Sequence, residues 1–353
     1  MQLLSLLSLP LLSLLLSPTT AIQCNNTLPA SCLGPVSPLE PTTQTIADSL
    51  ADQTPLNNLS YSAARDAFDV FNIPTNPGLS SVVYTELNIP EGPTGNLNLH
   101  IYLPKKRGRT LVPAILYLHG GGWILGDPVV YQQAVVGLVN DTGAGVVFVN
   151  YTRAPDAVYP VAIEEAYSAL QWLYAHAGEY GMDAKKVAFV GDSAGGHMAI
   201  GLSLLSLERN TTLPLYQALI YPVTNLACES NTYTLFHDGP FLTAALIRWM
   251  IDAWTPDVSR RSEILASPLL APIDQLEGFP PTLVITAELD PLREEGELFA
   301  QNLAAAGVDT TALRAQGTFH GFWSVNALRG TPAARVAREL VTVKLRGVFG
   351  TGY

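Results

Sequence analysis

The stretch VAFVGDSAGGHMAI, residues 187–200, joins an apolar run to a helical pattern through a turn that contains Ser193. The run VAFV predicts a buried β-strand and AGGHMAI predicts a helix, so the chain must reverse direction within a few residues. Gly191 and Gly195 make this turn possible, because a side chain at either position would collide with it. The pattern G-x-S-x-G therefore predicts a strand-to-helix turn that exposes the Ser193 hydroxyl above a sheet, with an ordinary glycine-rich turn as the alternative.

Continuous apolar strands alternate with helical segments on both sides of this turn. These strands are PAILYLH, GVVFVNY, KKVAFVGD, LYQALIYP, PTLVITAELD and TTALRAQ. Strands that are apolar on both faces belong in a parallel sheet covered by helices. Two earlier candidates, SVVYTELNIP and LNLHIYLP, partly alternate around the turn EGPTG and predict an antiparallel pair. The fold class is therefore α/β, with a mostly parallel central sheet flanked by helices.

The organisation along the chain predicts a core in two parts. Residues 1–21 form a leader, and residues 22–77 form a Pro-, Thr- and Ser-rich arm with one amphipathic helix, SYSAARDAFDVFN. The core comprises residues 78–223 and 276–353, and the interval 224–275 is longer than a crossover between parallel strands needs. We expect this insertion and the arm to form a helical cap over the strand ends, where ligands bind in open α/β sheets.

The composition and charge of the chain exclude some classes of binding partner. The chain has 353 residues, 48% of them hydrophobic, which is enough for a sizeable core. A net charge of -11 disfavours nucleic acid and anionic membrane surfaces, because both would repel the protein. No Cys or His cluster has the spacing of metal ligands, and no carboxylate pair is singled out for glycosidase chemistry. We therefore expect no metal and no cofactor.

The leader MQLLSLLSLPLLSLLLSPTTA has a leucine-rich core followed by small residues, with Thr19 and Ala21 at the spacing that signal peptidase recognises. A membrane anchor is the alternative. The apolar core is too short to span roughly 30 Å of hydrocarbon, and Pro10 interrupts it. We expect cleavage after Ala21, secretion to the extracellular space, and no stable membrane insertion.

Cysteines and glycosylation sequons are compatible with secretion. In an oxidising compartment, Cys24 and Cys32 are close enough in sequence to form a disulfide, and Cys228 then remains as an unpaired buried residue. We expect Asn150 to stay without a glycan, because it ends the apolar strand GVVFVN. Sequons for N-glycosylation occur at Asn25, Asn58, Asn140, Asn150 and Asn210.

A second glycine-rich motif, HGGGW at residues 119–123, follows the strand PAILYLH. Attack on an ester carbonyl builds negative charge on oxygen, and each preorganised amide donor stabilises that charge by about 3 to 4 kcal/mol. Gly121 and Gly122 are the natural donors, joined by the amide of Ala194 after the serine. The alternative is a phosphate-binding loop, but the motif lacks the lysine and the glycine spacing of such loops.

A serine nucleophile needs a base, and one of the six histidines has a suitable setting. His320 lies in QGTFHGF, just after the last predicted strand, and loops at strand ends commonly carry catalytic groups. His237 lies in the insertion without a motif. The histidines that we interpret as structural are His100, His176 and His197.

The base needs an acid partner to hold its tautomer, and the order Ser, acid, His predicts an acid at the end of the preceding strand. Asp290, which closes TLVITAELD before PLREEG, has this position. Glu288 is the local competitor. A helix N-cap is the alternative role for Asp290.

The motifs HGGGW, GDSAGG, DPLREEG and HGF, in this order and spacing, resemble the hormone-sensitive-lipase-like family of α/β-hydrolase esterases and lipases. The likeness covers roughly residues 48–345. It implies an α/β-hydrolase fold with a cap and a serine carboxylic-ester hydrolase acting on small-molecule esters. The residues carried over are Ser193 as nucleophile, His320 as base, Asp290 as acid, and the amides of Gly121, Gly122 and Ala194 as oxyanion hole.

One motif departs from the family pattern. The family usually reads Y-R-L-A-P-E where this chain reads YTRAPD at residues 151–156, so the arginine is displaced by one position. No supporting role beside the oxyanion loop is therefore carried over to Arg153.

The predicted reaction is acyl transfer through a serine acyl-enzyme. An amidase or formamidase on the same scaffold is the nearer alternative, and a ligand-binding receptor on an inactive scaffold is the more distant one. The resemblance favours short- to medium-chain esters, and the sequence indicates no particular oligomeric state. The aromatic residues expected in the cap are Tyr233, Phe236, Phe241 and Trp249. They either form an acyl pocket or hold the cap in place, and we expect the second role for most of them.

Overall fold

A computed structural model describes residues 24, 27–28, 34, 36–106, 108 and 110–351 of the chain. The predicted leader, residues 1–21, lies outside these described residues, as do Cys32 and the sequon at Asn25.

The described chain forms an eight-stranded sheet with the order β1-β2-β4-β3-β5-β6-β7-β8. Strands β1, β2 and β4 are joined by antiparallel pairing, and every other neighbouring pair is parallel. This confirms the predicted α/β class and the antiparallel pair at the start. The strands are β1 Val82–Ile89, β2 Leu97–Pro104, β3 Val112–Leu118, β4 Gly145–Asn150, β5 Met182–Asp192, β6 Tyr216–Ile220, β7 Thr282–Leu289 and β8 Thr310–Phe319.

Helices cover the sheet and continue into the arm and the insertion. The α-helices are α1 Pro41–Ala51, α2 Tyr61–Phe71, α3 Gln132–Thr142, α4 Val161–His176, α5 Ala194–Glu208, α6 Asn231–Leu235, α7 Ala244–Trp254, α8 Arg293–Ala305 and α9 Pro332–Phe349. Short 3-10 helices lie at Leu56–Asn58, Leu79–Ser81, Ala177–Tyr180, Val258–Ser262, Pro268–Leu270, Ile273–Leu276 and Asn326–Leu328. Within the described segments, no helix is both long and apolar enough to cross a bilayer.

Strand β5 lies near the centre of the sheet, between β3 and β6, and leads directly into α5. Residues 187–192 of the strand are buried, as is α5 on all its sides from Ala194 to Ser206. A helix that is apolar all round must be covered on more than one face. Accordingly, α5 packs on the sheet and also contacts the insertion, where the His197 ring bonds the Ala266 carbonyl at 3.1 Å. The turn between β5 and α5 is therefore held rigidly.

The arm contains two α-helices where the sequence predicts one. Helix α2 matches the predicted amphipathic segment, whereas α1 lies in the Pro- and Thr-rich part, for which no helix was predicted. The Glu40 carboxylate caps α1 by accepting a hydrogen bond from the Thr43 amide at 3.0 Å, and Pro41 occupies the first turn. Proline at that position is compatible with a helix start because its missing N–H would have no partner there.

The predicted disulfide between Cys24 and Cys32 is wrong, because Cys24 is bonded to Cys228 across 204 residues. The Cys24 amide also donates to the Glu229 carbonyl at 2.9 Å, which lays the start of the arm along the loop after β6. Closeness in sequence suggested the wrong partner, since the approach of the arm to the insertion brings Cys24 and Cys228 together. Cys228 is therefore not unpaired.

Candidate active site

Ser193 lies in the sharp turn that the sequence predicts between β5 and α5. Its backbone adopts φ 56° and ψ −121°, a conformation that side-chain-bearing residues rarely adopt. A Cβ on Gly191 would lie 2.3 Å from the Gly195 carbonyl oxygen, and one on Gly195 would lie 1.9 Å from that of Leu118. Both glycines are therefore required by the close approach of backbone on either side of the serine.

Ser193, His320 and Asp290 form a hydrogen-bonded line. The Ser193 hydroxyl is 2.9 Å from His320 Nε2, and His320 Nδ1 is 2.8 Å from Asp290 Oδ2. All three side chains are buried, Asp290 completely. The structure thus brings together three residues that the sequence separates by up to 127 positions.

Asp290 contacts His320 and is not the N-cap of α8, because that position is Leu292 and has no side-chain capping bond. While Oδ2 contacts His320, Oδ1 accepts a hydrogen bond from the Leu292 amide at 2.9 Å, which anchors the turn before α8. Glu288 has other partners: its carboxylate accepts from the Ser37 amide at 3.1 Å and from the Gly317 amide at 2.8 Å. The local competitor is therefore used to hold the arm and β8.

The position of His320 depends on an irregularity in β8. The strand extends beyond the predicted TTALRAQ to Phe319, so His320 follows it directly. Gly317 has φ +64°, and the β7–β8 register shifts between Ala287 and Leu289. A left-handed glycine permits such a bulge within a strand, which redirects the residues after it.

The glycine loop, residues 119–123, lies beside Ser193. Gly121 and Gly122 have φ +95° and +59°, and both line a small cavity together with Ser193. A Cβ on Gly121 would lie 2.3 Å from the Leu125 carbonyl oxygen, so this position also requires glycine. Ala194 is the first residue of α5, and its N–H therefore has no intrahelical partner. These three amides belong to the segments that border the cavity.

A buried carboxylate under the glycine loop was not singled out from the sequence. Asp192 accepts hydrogen bonds from the Tyr117 hydroxyl at 2.9 Å, the Tyr131 hydroxyl at 3.2 Å and the Gly120 amide at 3.2 Å. Burial raises the pKa of Asp192 to about 6. Its position directly before Ser193 in GDSAGG was the available signal. Asp192 ties the glycine loop to the strand that presents the serine.

His119 supports the same loop from its other end. Its ring stacks on Tyr151 with centroids 4.2 Å apart, and Nδ1 donates to the Gly120 carbonyl at 2.8 Å. Burial lowers the pKa of His119 to about 3, so the ring stays neutral and acts as a packing group.

The remaining histidines have partners away from Ser193. Burial lowers the pKa of His197 to about 4, and its ring packs edge-on to Trp123 and Trp254. His237 is exposed and contacts Asp238. His100 contacts Tyr84 and Asn98, and His176 contacts Glu179.

Two arginines hold the chain around the glycine loop. Arg153 Nη1 donates to the Gly126 carbonyl at 2.7 Å, so it contacts this region despite its displacement in the motif. Arg65 of α2 donates from Nε to the Ile124 carbonyl at 3.0 Å and from Nη2 to the Ala154 carbonyl at 2.8 Å. Arg65 thereby links the arm to both segments, a contact that no motif in the sequence indicates.

The cavity beside Ser193 encloses about 40 Å³. Its apolar wall consists of Leu56, Phe68, Leu125, Phe241, Leu242, Leu246 and Met250. Among the four aromatic residues that we expect in a cap, Phe241 lines this cavity, whereas Trp249 stacks on Tyr61 with centroids 4.9 Å apart. Tyr233 and Phe236 are buried.

A nucleophile, a base with an oriented partner and a set of backbone amides are the parts that acyl transfer requires. The described part of the chain contains no group of three or more His, Cys, Asp or Glu residues arranged to hold a metal ion.

Comparison with known proteins gives concordant results. Residues 115–324 match the family described as alpha/beta hydrolase fold. An esterase of Gibberella moniliformis is 39% identical over 269 residues, which are 76% of this chain and 85% of that protein. The carboxylic ester hydrolase LipN of Mycobacterium tuberculosis is 35% identical over 71% of this chain and 67% of its own. The crystal structure of carboxyl esterase 2 from Tuber melanosporum superposes with a TM-score of 0.82 at 39% identity, covering 88% of this chain and 99% of that one.

Proposed function

The chain belongs to the hormone-sensitive-lipase-like family of α/β-hydrolase esterases and is a carboxylic ester hydrolase, and from this premise we propose that Ser193, His320 and Asp290 carry out its reaction. The observation that supports this assignment most directly is the buried line from the Ser193 hydroxyl through the His320 ring to Asp290, with both contacts under 3 Å.

In the first half of the proposed reaction, His320 Nε2 takes the proton of the Ser193 hydroxyl as its oxygen attacks the ester carbonyl. The carbonyl oxygen becomes negatively charged and is stabilised by the amides of Gly121, Gly122 and Ala194. The carbon–oxygen bond to the alcohol then breaks, and His320 gives its proton to the departing oxygen. The acyl group remains on Ser193.

In the second half, a water molecule takes the place of the alcohol. His320 removes a proton from this water, and the resulting hydroxide attacks the acyl-enzyme carbonyl. Asp290 holds Nδ1 protonated throughout and stabilises the imidazolium that forms twice in each cycle. The acid product leaves when Ser193 regains its proton.

Replacing the nucleophile tests this assignment. We expect Ser193→Ala to lower kcat for p-nitrophenyl acetate by at least about 10⁴-fold, leaving a residual rate from the amides and substrate binding. Ser206→Ala, a buried serine on the same helix, is the matched control and should retain nearly full activity. Retention of more than a tenth of the wild-type rate by Ser193→Ala would contradict the proposal.

We further propose that the protein is secreted after cleavage at Ala21 and that the arm and the insertion form its cap. A disulfide such as Cys24–Cys228 persists in oxidising compartments, which supports secretion. Exposed sequons at Asn58, Asn140 and Asn210 are accessible for glycosylation. N-terminal sequencing of the exported protein should begin at Ile22, and a start at Met1 would refute the cleavage.

The proposed substrates are short- to medium-chain esters. This class follows from the resemblance to the family, and the small cavity beside Ser193 disfavours long acyl chains. Rates on matched ester and amide pairs should favour the ester, and comparable rates would indicate an amidase instead.

A further inference from the structure

A groove of about 960 Å³ lies between the two arm helices and residues 238–246 of the insertion. We call it the arm groove. It shares four lining side chains with the small cavity beside Ser193: Leu56, Phe68, Phe241 and Leu246. The two spaces are therefore separated by a wall one side chain thick. At about 40 Å³ the cavity has space for only a few water molecules, so a substrate must extend beyond it.

The side of the site next to the glycine loop is closed. Met250 of α7 packs directly on Gly122, where an added Cβ would lie 2.0 Å from the Met250 sulfur. The acyl group of a bound ester remains near these amides, because its carbonyl oxygen must reach them. Met250 therefore leaves room for a short acyl group only.

The side next to His320 faces the arm groove across the side chain of Phe241. Phe241 packs against Gly321, which follows His320, and a Cβ there would lie 2.9 Å from the Phe241 ring. In the proposed reaction His320 protonates the departing oxygen, so the alcohol portion of the ester must lie on this side. Phe241 is half-buried and is the wall residue that lies between His320 and the arm groove.

The lining of the arm groove fits an uncharged apolar chain. Most of its residues are apolar, and those with charged side chains are Asp48, Asp66 and Asp238. The described lining residues include no lysine or arginine to bind an anionic group. An acidic rim repels a free carboxylate but does not oppose a neutral alkyl chain.

We propose that this esterase selects esters that join a short acyl group to a long apolar alcohol, with the alcohol chain passing Phe241 into the arm groove. This inference rests on the proposed function, because it uses His320 to locate the alcohol. Each methylene that leaves water for the groove contributes up to about fourfold to kcat/KM.

The test compares hexyl acetate with ethyl hexanoate, two isomers of one formula that differ only in which side of the ester carries the long chain. Hydrolysis by the purified protein is followed by pH-stat titration below the solubility limit of both esters. We expect kcat/KM to be at least about tenfold higher for hexyl acetate. Equal values, or a preference for ethyl hexanoate, would overturn the proposal.

Two variants assign the preference to the groove. Ala67→Trp fills the groove from an exposed position on α2 and should lower the ratio of hexyl acetate to ethyl acetate kcat/KM at least about tenfold. Ser62→Trp, exposed on the same helix but outside the groove, is the matched control and should leave this ratio unchanged. An unchanged ratio in Ala67→Trp would refute the groove as the binding site.

Opening the acyl side should have the opposite effect. Met250→Ala should raise kcat/KM for ethyl hexanoate about tenfold and so remove most of the difference between the isomers; no rise would contradict the role of Met250. A failure of the proposed function is recognised separately, because Ser193→Ala would then still hydrolyse ethyl acetate at the wild-type rate.

Discussion

Replacing Asp290 with asparagine should inactivate the enzyme through the tautomer of His320. In the wild type, Oδ1 accepts from the Leu292 amide at 2.9 Å and Oδ2 accepts from His320 Nδ1 at 2.8 Å. An asparagine must direct its oxygen to the Leu292 N–H, since its NH₂ group would meet that donor unfavourably. The NH₂ group then faces His320 Nδ1, which can receive this hydrogen bond only when it carries no proton.

With Nδ1 unprotonated, the neutral ring carries its proton on Nε2 and donates it to Ser193 instead of accepting one. The base is then present in the wrong tautomer, although its distance of 2.9 Å to the hydroxyl is unchanged. A substitution of this kind lowers kcat by about 10⁴-fold, which corresponds to about 5.4 kcal/mol of transition-state stabilisation. KM should change little, because Asp290 does not line the cavity in the described chain.

The assay is steady-state hydrolysis of p-nitrophenyl acetate near pH 7.5, with circular dichroism to establish that the variant is folded. Glu288→Gln is the matched control, because it makes the same kind of change on the neighbouring carboxylate, which contacts Ser37 and Gly317. It should retain most of the wild-type kcat. A folded Asp290→Asn variant with more than a tenth of the wild-type kcat would refute the reasoning.

Three further predictions concern stability and positioning. Burial raises the pKa of Glu295 from 4.5 to about 8, so the native state retains a proton that the unfolded chain releases, and the free energy of unfolding should fall as pH rises between these values. Urea titrations at pH 5 and pH 8 should show this fall in the wild type and a clearly smaller fall in Glu295→Gln, where Asp192 still contributes; an equal fall in both would contradict the prediction. Arg65→Ala should lower kcat for p-nitrophenyl acetate about tenfold or more, with a smaller effect on KM. Arg65→Lys should restore little of the lost kcat, because lysine cannot bond both carbonyls in the way that Arg65 does. Full recovery of kcat by lysine would show that only the positive charge matters. Cys228→Ser should have a free energy of unfolding about 2 to 5 kcal/mol below that of the wild type under non-reducing conditions. The two proteins should be equally stable once a reductant has opened the disulfide of the wild type. Equal stabilities before reduction would show that Cys24 is not bonded to Cys228.

The sequence was sufficient for the features that depend on local sterics and patterning. The run VAFV followed by GDSAGG predicts a strand, a turn and a helix, because apolar continuity and glycine spacing act over a few residues. The α/β class follows in the same way from the repeated apolar strands, and so does the position of Asp290 at the end of β7. Motif order and spacing were enough to indicate the family.

Only the tertiary structure decided which distant groups meet. Cys24 lies near Cys32 in sequence but is bonded to Cys228, because the arm runs along the insertion. Met250 closes the space over Gly122, and Arg65 reaches the glycine loop from α2, although neither lies in a motif. Such contacts depend on how elements that are far apart in the chain pack against each other. The residues next to a side chain in sequence do not determine that packing.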